Sequence, residues 1–189
     1  MGGNALWQKK ALIVVDYSYD FVAPDGKLTC GEPGQALDDF IAERMEAYDK
    51  EGEAIFVMMD LHYENDPYHP ESKLFPPHNI EGTSGRDLYG KVKDVYEKIE
   101  SHEHVHYLDK RRYDSFFGTP LDSLLRERGI TEIEIVGVCT DICVLHTAIS
   151  GYNKGYAITI PTKGVASFNP EGHNFALEHF KNVLGAKVE

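Results

Sequence analysis

The segment Val136-Gly137-Val138-Cys139-Thr140-Asp141-Ile142-Cys143-Val144 joins an apolar, strand-like run to a helix-like run with a thiol in its first turn. A thiol there lies near unpaired backbone N–H groups and the positive end of the helix dipole, which lower its pKa. The same N–H groups can receive the negative oxygen of a tetrahedral intermediate. Cys143 is therefore a candidate nucleophile. The alternative is a buried cysteine that only fills space.

Outward from this segment, apolar runs alternate with helix-like runs. Residues 11–15 and 54–59 are continuous apolar runs, typical of strands buried on both faces, and they end on Asp16 and Asp60. Spacing and stop signals predict further strands at 104–108, 133–138 and 156–160, and helices at 35–49, 91–100, 120–128, 141–152 and 171–183. The order predicts an α/β fold with a mostly parallel sheet and helices on both faces.

Four chemically useful side chains follow the predicted strands: Asp16, Asp60, Lys110 and Cys143. In open α/β sheets, ligands bind beyond the carboxyl ends of the strands, so the fold should bring these residues to one edge. Taken alone, Lys110 also fits a solvated charge, because two arginines follow it directly.

The length and composition indicate one globular domain over residues 1–189. Residues 1–10 are expected to form a short lead. Residues 61–90, rich in Pro, His, Asn and Gly, form a loop longer than ordinary connections, and loops of that length usually carry function.

Charge and cysteine content restrict the partners and the compartment. A net charge of −12 argues against non-specific nucleic-acid binding, because phosphates would be repelled. Three cysteines, with no leader segment and no long apolar span, indicate a reducing, cytoplasmic setting without membrane contact.

The long loop carries a candidate metal site. Asp60 and His62 are two residues apart, which in extended chain points both side chains the same way, and His78 follows two prolines that stiffen its surroundings. One carboxylate and two imidazoles suit Zn²⁺, Mn²⁺ or Fe²⁺, and Glu71 can add a ligand. His69 competes for the same role, and a polar surface loop is the alternative.

A cysteine nucleophile needs a group that takes its proton and later protonates the leaving group. Asp16 fits that role, with Lys110 holding both the carboxylate and the thiolate. His146, three residues beyond Cys143 on the same helix, stays open as a second candidate base.

Together these motifs resemble the nicotinamidase branch of the isochorismatase-like (cysteine hydrolase) superfamily. The matching elements are Val14-Val15-Asp16 followed by Phe21, Asp60-x-His62, Ser72-Lys73-Leu74-Phe75-Pro76-Pro77-His78, Asp109-Lys110 and residues 137–143. The resemblance runs from Leu12 to about Lys187. It implies a six-stranded parallel sheet in a Rossmann-like three-layer fold, and hydrolysis of nicotinamide to nicotinate and ammonia in NAD salvage. Pyrazinamide-type analogues are further expected substrates.

The resemblance also implies roles for individual residues. Asp16, Lys110 and Cys143 match the catalytic triad, and the backbone N–H groups of Cys139 and Cys143 match the oxyanion hole, next to a cis Val138–Cys139 peptide bond. One divalent ion, with Zn²⁺ favoured over Mn²⁺ or Fe²⁺, is implied at a site whose matching residues are Asp60, His62 and His78, with Glu71 bound directly or through water. Three aromatic residues match the wall of the pyridine pocket: Phe21, Phe75 and Tyr113.

Cys139 departs from the family pattern, where a small or aliphatic residue is expected, and it places a second thiol near the site. Three alternative functions stay open: an amidase for carbamoyl or ureido compounds, an isochorismatase, and a non-catalytic metal or thiol protein. Isochorismatases cleave a vinyl ether without a nucleophilic cysteine, so Cys143 opposes that alternative. We expect a homo-oligomer. Three tyrosines of the long loop are candidates for an exposed subunit contact or a lid: Tyr63, Tyr68 and Tyr89.

Overall fold

A computed structural model describes residues 10–189, which form a parallel sheet covered on both faces by helices. Its strands are β1 Lys10–Val15, β2 Ala54–Asp60, β3 Val105–Lys110, β4 Glu132–Val138, β5 Ala157–Ile160, β6 Val165–Ala166 and β7 Lys187–Val188. The order along the sheet is β3-β2-β1-β4-β5-β7, and every pairing between these strands is parallel. The expected six strands form this path, and β6 adds a seventh that pairs with β4.

Helices cover both faces, as the alternating sequence predicts. They are α1 Tyr19–Val22, α2 Glu32–Gln35, α3 Asp38–Glu51, α4 Gly90–Ile99, α5 Leu121–Glu127, α6 Leu145–Asn153 and α7 Pro170–Asn182. Alternate residues of the central strands enter two different cores. Ile13 and Phe56 pack in the core that contains α5, α6 and α7, whereas Leu12 and Ile55 pack in the core that contains α3 and α4. The three-layer α/β fold is confirmed.

Several element boundaries differ from the predictions. The helix predicted at 35–49 corresponds to α3, which begins at Asp38, whereas the short helices α1 and α2 were not predicted. The helix predicted at 141–152 starts as a π-helical turn over Thr140–Val144 before α6 begins. The lead expected at 1–10 lies outside the described residues except for Lys10, which opens β1.

The segment at 61–90 is a long ordered connection with two short 3₁₀ turns, Pro70–Lys73 and Ser84–Arg86. A bridge between His62 and Ile80 ties its two halves together beside the end of β2. Within residues 10–189, no helix combines the length and apolar character that a membrane span requires.

Candidate active site

The ends of four neighbouring strands bring the expected reactive side chains together. Asp16 follows β1, Asp60 and Lys110 end β2 and β3, and Cys143 lies in the turn after β4. The Nζ atom of Lys110 is 2.7 Å from Oδ2 of Asp16, 3.8 Å from Sγ of Cys143 and 3.9 Å from Oδ1 of Asp60. Lys110 is 1% exposed, so the solvated-charge alternative is wrong.

Burial strongly affects the protonation states of Asp16, Lys110 and Cys143. It raises the pKa of Asp16 to about 6, against the opposing effect of Lys110. Burial also raises the pKa of the Cys143 thiol and outweighs the lowering effect of Lys110, so the expected net lowering of this pKa is wrong for the free site. Although burial opposes the ammonium charge, Asp16 and Cys143 raise the pKa of Lys110. The resting site therefore holds a neutral thiol beside an Asp16–Lys110 ion pair.

Backbone contacts fix the carboxylate of Asp16. Its own N–H donates to the carbonyl of Met58 at 2.9 Å, and its Oδ1 accepts the N–H of Asp60 at 2.8 Å. The residue has a φ of 54°, a left-handed conformation that Asp adopts more readily than most residues. The second carboxylate oxygen is thereby directed to Lys110.

The turn after β4 has the backbone form that the resemblance implies, because the Val138–Cys139 peptide bond is cis. All three cysteines are free, and the effects of Cys30 and of burial raise the pKa of the Cys139 thiol. His146 is exposed, and its Nδ1 lies 2.7 Å from the carbonyl of Ile142. His146 is therefore not positioned to act as the base for Cys143.

A second cluster lies beside the triad: Asp60, His62, Glu71 and His78, all buried, with one potential ligand atom from each within 4.8 Å of all the others. Nε2 of His62 is 2.6 Å from Oδ2 of Asp60, and Nε2 of His78 is 3.6 Å from the same oxygen and 3.5 Å from Oε2 of Glu71. The N–H of His62 donates to the carbonyl of Asn79, which brings His78 close to His62.

The donor set fits a divalent cation. Among residues 10–189, Oδ1 of Asp60 and Nε2 of His78 have no hydrogen-bond partner, although buried polar atoms are normally paired. Burial opposes a charged His78 ring, but the nearby carboxylates of Asp60 and Glu71 raise the pKa of His78 to about 10. Two carboxylates and two imidazoles around a small buried space match the ligand preferences of Zn²⁺, Mn²⁺ and Fe²⁺.

His69, the competing ligand, has both ring nitrogens occupied. Its Nδ1 accepts the N–H of Glu71 at 3.2 Å, and its Nε2 lies 2.8 Å from the carbonyl of Arg111. The ring therefore supports the short turn that carries Glu71 and is not one of the clustered donors.

Two residues that support the cluster were missed from sequence. Asp20 is buried, and its Oδ2 accepts the N–H of Asn79 at 2.8 Å, next to His78. Arg86 donates from Nε to the carbonyl of Asp60 at 2.9 Å and from its guanidinium to Asp109. These contacts join positions far apart in the chain, and no local motif marks them.

An apolar pocket opens over the thiol and the carboxylates of the metal cluster. The three expected aromatic residues, Phe21, Phe75 and Tyr113, line it together with residues not predicted, Leu28, Ile142 and Phe168. Cys143, Asp60 and Glu71 reach the same pocket.

The loop tyrosines differ in exposure. Tyr68 is 92% exposed and Tyr63 is 40% exposed, whereas Tyr89 is half-buried against Tyr17, with ring centroids 6.2 Å apart. The prediction that Tyr89 is an exposed contact residue is therefore wrong.

The family model of the isochorismatase domain matches residues 10–188. The chain belongs to the isochorismatase family. Within this family, the solved pyrazinamidase/nicotinamidase of Streptococcus mutans is 54% identical, with a TM-score of 0.94 over 96% of this chain and 100% of that one. The nicotinamidase of Staphylococcus aureus is 58% identical, with a TM-score of 0.85 over 96% of this chain and 99% of its own.

A less similar solved protein contains a bound metal. The pyrazinamidase of Pyrococcus horikoshii, solved in complex with zinc, is 28% identical, with a TM-score of 0.84 over 96% of this chain and 98% of its own.

Proposed function

We propose that this isochorismatase-family chain is a metal-dependent nicotinamidase that hydrolyses nicotinamide to nicotinate and ammonia through a thioester on Cys143. Its place would be in NAD salvage in the cytoplasm, and pyrazinamide-type analogues would be further substrates. The free cysteines support a reducing compartment, and the nicotinamidase names of similar solved proteins support the substrate class. A homo-oligomer remains the expected assembly.

One observation carries the proposal: a single apolar pocket contains the Cys143 thiol and the carboxylates of the metal cluster. A planar aromatic amide with a ring nitrogen matches this arrangement. The ring fits among Phe21, Phe75 and Tyr113, and the carboxamide reaches the thiol.

The first half of the reaction transfers the acyl group to sulfur. Asp16 takes the proton of the Cys143 thiol, and the thiolate attacks the amide carbon. Lys110 stabilises the thiolate as its charge develops, because the ammonium lies 3.8 Å from Sγ. The N–H groups of Cys139 and Cys143 receive the oxyanion. Asp16 then gives its proton to the departing nitrogen, so ammonia leaves and a thioester remains.

The second half restores the enzyme. Asp16 takes a proton from water, the resulting hydroxide attacks the thioester carbon, and the same N–H groups hold the second oxyanion. Collapse breaks the C–S bond, the sulfur recovers the proton held by Asp16, and the product leaves as nicotinic acid, which loses its carboxyl proton to solvent as nicotinate. A carboxyl group with a pKa raised by burial suits a residue that must both accept and donate a proton.

The metal site would be formed by Asp60, His62, His78 and Glu71, with Zn²⁺ favoured and Glu71 bound directly or through water. A bound cation there supplies a coordination position for the pyridine nitrogen, directly or through water, which orients the carboxamide toward the thiol. Cys143, Asp16 and Lys110 keep the proton transfers and the covalent chemistry.

The test is ammonia release by purified protein from nicotinamide, from a linear ureido compound and from a carbamoyl amine. We expect turnover of nicotinamide, with a loss in Asp16→Asn that reaches several orders of magnitude. Cys30→Ala, a buried thiol outside the pocket, is the matched control and should stay active. Preference for the ureido or carbamoyl compound would replace the nicotinamidase proposal with the related amidase function.

A further inference from the structure

A second group of metal-ligating side chains lies at the opposite edge of the sheet. Asp49 is in the last turn of α3, and His102 and His104 are in the connection between α4 and β3. We name these three residues the amino-edge cluster, because they lie where β2 and β3 begin. We propose that it is a second binding site for a Zn²⁺-class divalent cation, independent of the cluster in the active site.

The donor atoms already converge. Nδ1 of His102 is 2.5 Å from Oδ1 of Asp49, and Nε2 of His104 is 2.9 Å from the same oxygen. All three donor atoms lie within 4.8 Å of one another. Tetrahedral zinc with bonds of about 2.0–2.2 Å places neighbouring ligand atoms roughly 3.3 Å apart. Small side-chain rotations are therefore enough to admit the ion.

The backbone beneath these side chains is held by hydrogen bonds. The carbonyl of His104 accepts the N–H of Ile55 at 2.9 Å, and the N–H of His102 donates to Ile99 at 2.9 Å. Asp49 is within a 14-residue helix. A site on such anchored positions loses little conformational freedom when an ion binds.

Two imidazoles and one carboxylate are a donor set for Zn²⁺, and harder ions such as Mg²⁺ and Ca²⁺ prefer oxygen ligands. The side chain of His102 is 44% exposed, so solvent reaches the cluster and can complete the coordination. The net charge of −12 also attracts cations.

The site would join the end of α3 to the start of β3. The six residues of β3 separate it from Lys110 by roughly 20 Å, at about 3.3 Å per residue. Its expected effect is on the stability of the folded chain, with turnover at the other edge left unchanged.

The experiment is equilibrium dialysis of the purified chain against Zn²⁺, with the bound metal measured by elemental analysis. We expect His102→Gln/His104→Gln to bind one equivalent fewer than wild type, and His62→Gln to keep the equivalent at the amino edge. His179→Gln, a half-buried histidine on α7 outside both clusters, is the matched control and should bind as wild type does.

A thermal readout accompanies the binding measurement. Zn²⁺ should raise the melting temperature of His62→Gln and have no such effect once His102 and His104 are also replaced. If the double change disturbs folding, His102→Gln alone tests the same site, because His102 lies at an exposed position. This variant should weaken Zn²⁺ binding at the amino-edge cluster by more than about tenfold. Equal Zn²⁺ stoichiometry in wild type and in the folded double variant, or equal Zn²⁺ affinity of the amino-edge cluster in His62→Gln with and without His102→Gln, would overturn the proposal.

Discussion

Lys110 is the residue on which the electrostatics of the pocket depend. It is a buried cation that neutralises Asp16 at 2.7 Å and approaches both Cys143 and Asp60. Removing one partner of a buried ion pair leaves the other charge without compensation, which costs far more than the loss of an exposed pair.

We therefore expect Lys110→Met to lower the free energy of unfolding by about 3–5 kcal/mol and to abolish turnover. Urea denaturation at neutral pH measures the first effect. Lys10→Met is the matched control, because Lys10 forms an exposed pair with Glu51 at 2.8 Å, and it should lower the free energy of unfolding far less than Lys110→Met. Equal losses in the two variants would show that the buried pair has no special weight.

A second prediction at this scale concerns Asp20, which positions the loop beside His78 through the N–H of Asn79. Asp20→Asn should weaken Zn²⁺ binding at the active-site cluster by about 10–100-fold, as expected when a group that orients a ligand is lost. Competition with a chelator measures the affinity in a His102→Gln/His104→Gln background.

Asp25→Asn is the control for this change. The Asp25 carboxylate accepts the hydroxyl of Tyr19 at an exposed position. An equal effect of the two substitutions would contradict a specific role for Asp20.

Among the elements, β4 brings its backbone very close to the backbone of the neighbouring strand β1. Gly137 has a φ of 122°, and a Cβ there would overlap the carbonyl oxygen of Val15 in β1. Only glycine fits this position without moving one central strand away from the other.

Gly137→Ala should accordingly lower the free energy of unfolding by about 3 kcal/mol or more, and it should reduce turnover because Asp16 follows Val15 directly. Gly52→Ala provides the comparison. Its φ is 68°, but a Cβ there meets no atom of residues 10–189 within 4 Å, so it should cost only about 1 kcal/mol. Thermal or urea unfolding ranks the two; a smaller cost at Gly137 would contradict the close approach.

The elements also show what sequence can predict. The apolar runs of β1, β2 and β4 predicted the sheet, and the rule for carboxyl ends of parallel strands predicted where Asp16, Asp60 and Lys110 meet. The two-residue strands β6 and β7 and the four-residue α1 are too short for any periodicity to show.

Contacts between distant parts of the chain could not be predicted from local sequence patterns either. Asp20 and Asn79 are 59 positions apart, and only the folded loop brings them together. The raised pKa of Cys143 was missed because it depends on burial, and burial follows from tertiary packing.

At the scale of the whole molecule, the sheet separates two edges that carry different clusters. The carboxyl edge holds Asp16, Lys110 and Cys143 with the candidate metal cluster, whereas the amino edge holds Asp49, His102 and His104. Ions bound only by the folded chain stabilise it by mass action.

Removing metal with a chelator should therefore lower the melting temperature. In a His102→Gln/His104→Gln background, a free Zn²⁺ concentration about 1,000 times the dissociation constant corresponds to about 4 kcal/mol. For a chain of this size, that is roughly 8–16 °C. Differential scanning calorimetry before and after chelation measures the shift. Identical melting temperatures would contradict metal binding at the active-site cluster.

The proposed covalent catalysis by Cys143 is tested by measuring the rate of ammonia release from nicotinamide by folded Cys143→Ala. Because the thiol is the only nucleophile in the proposed mechanism, we expect a loss of more than about 10³-fold, with circular dichroism unchanged from wild type. Turnover by Cys143→Ala at the wild-type rate would contradict the thioester mechanism.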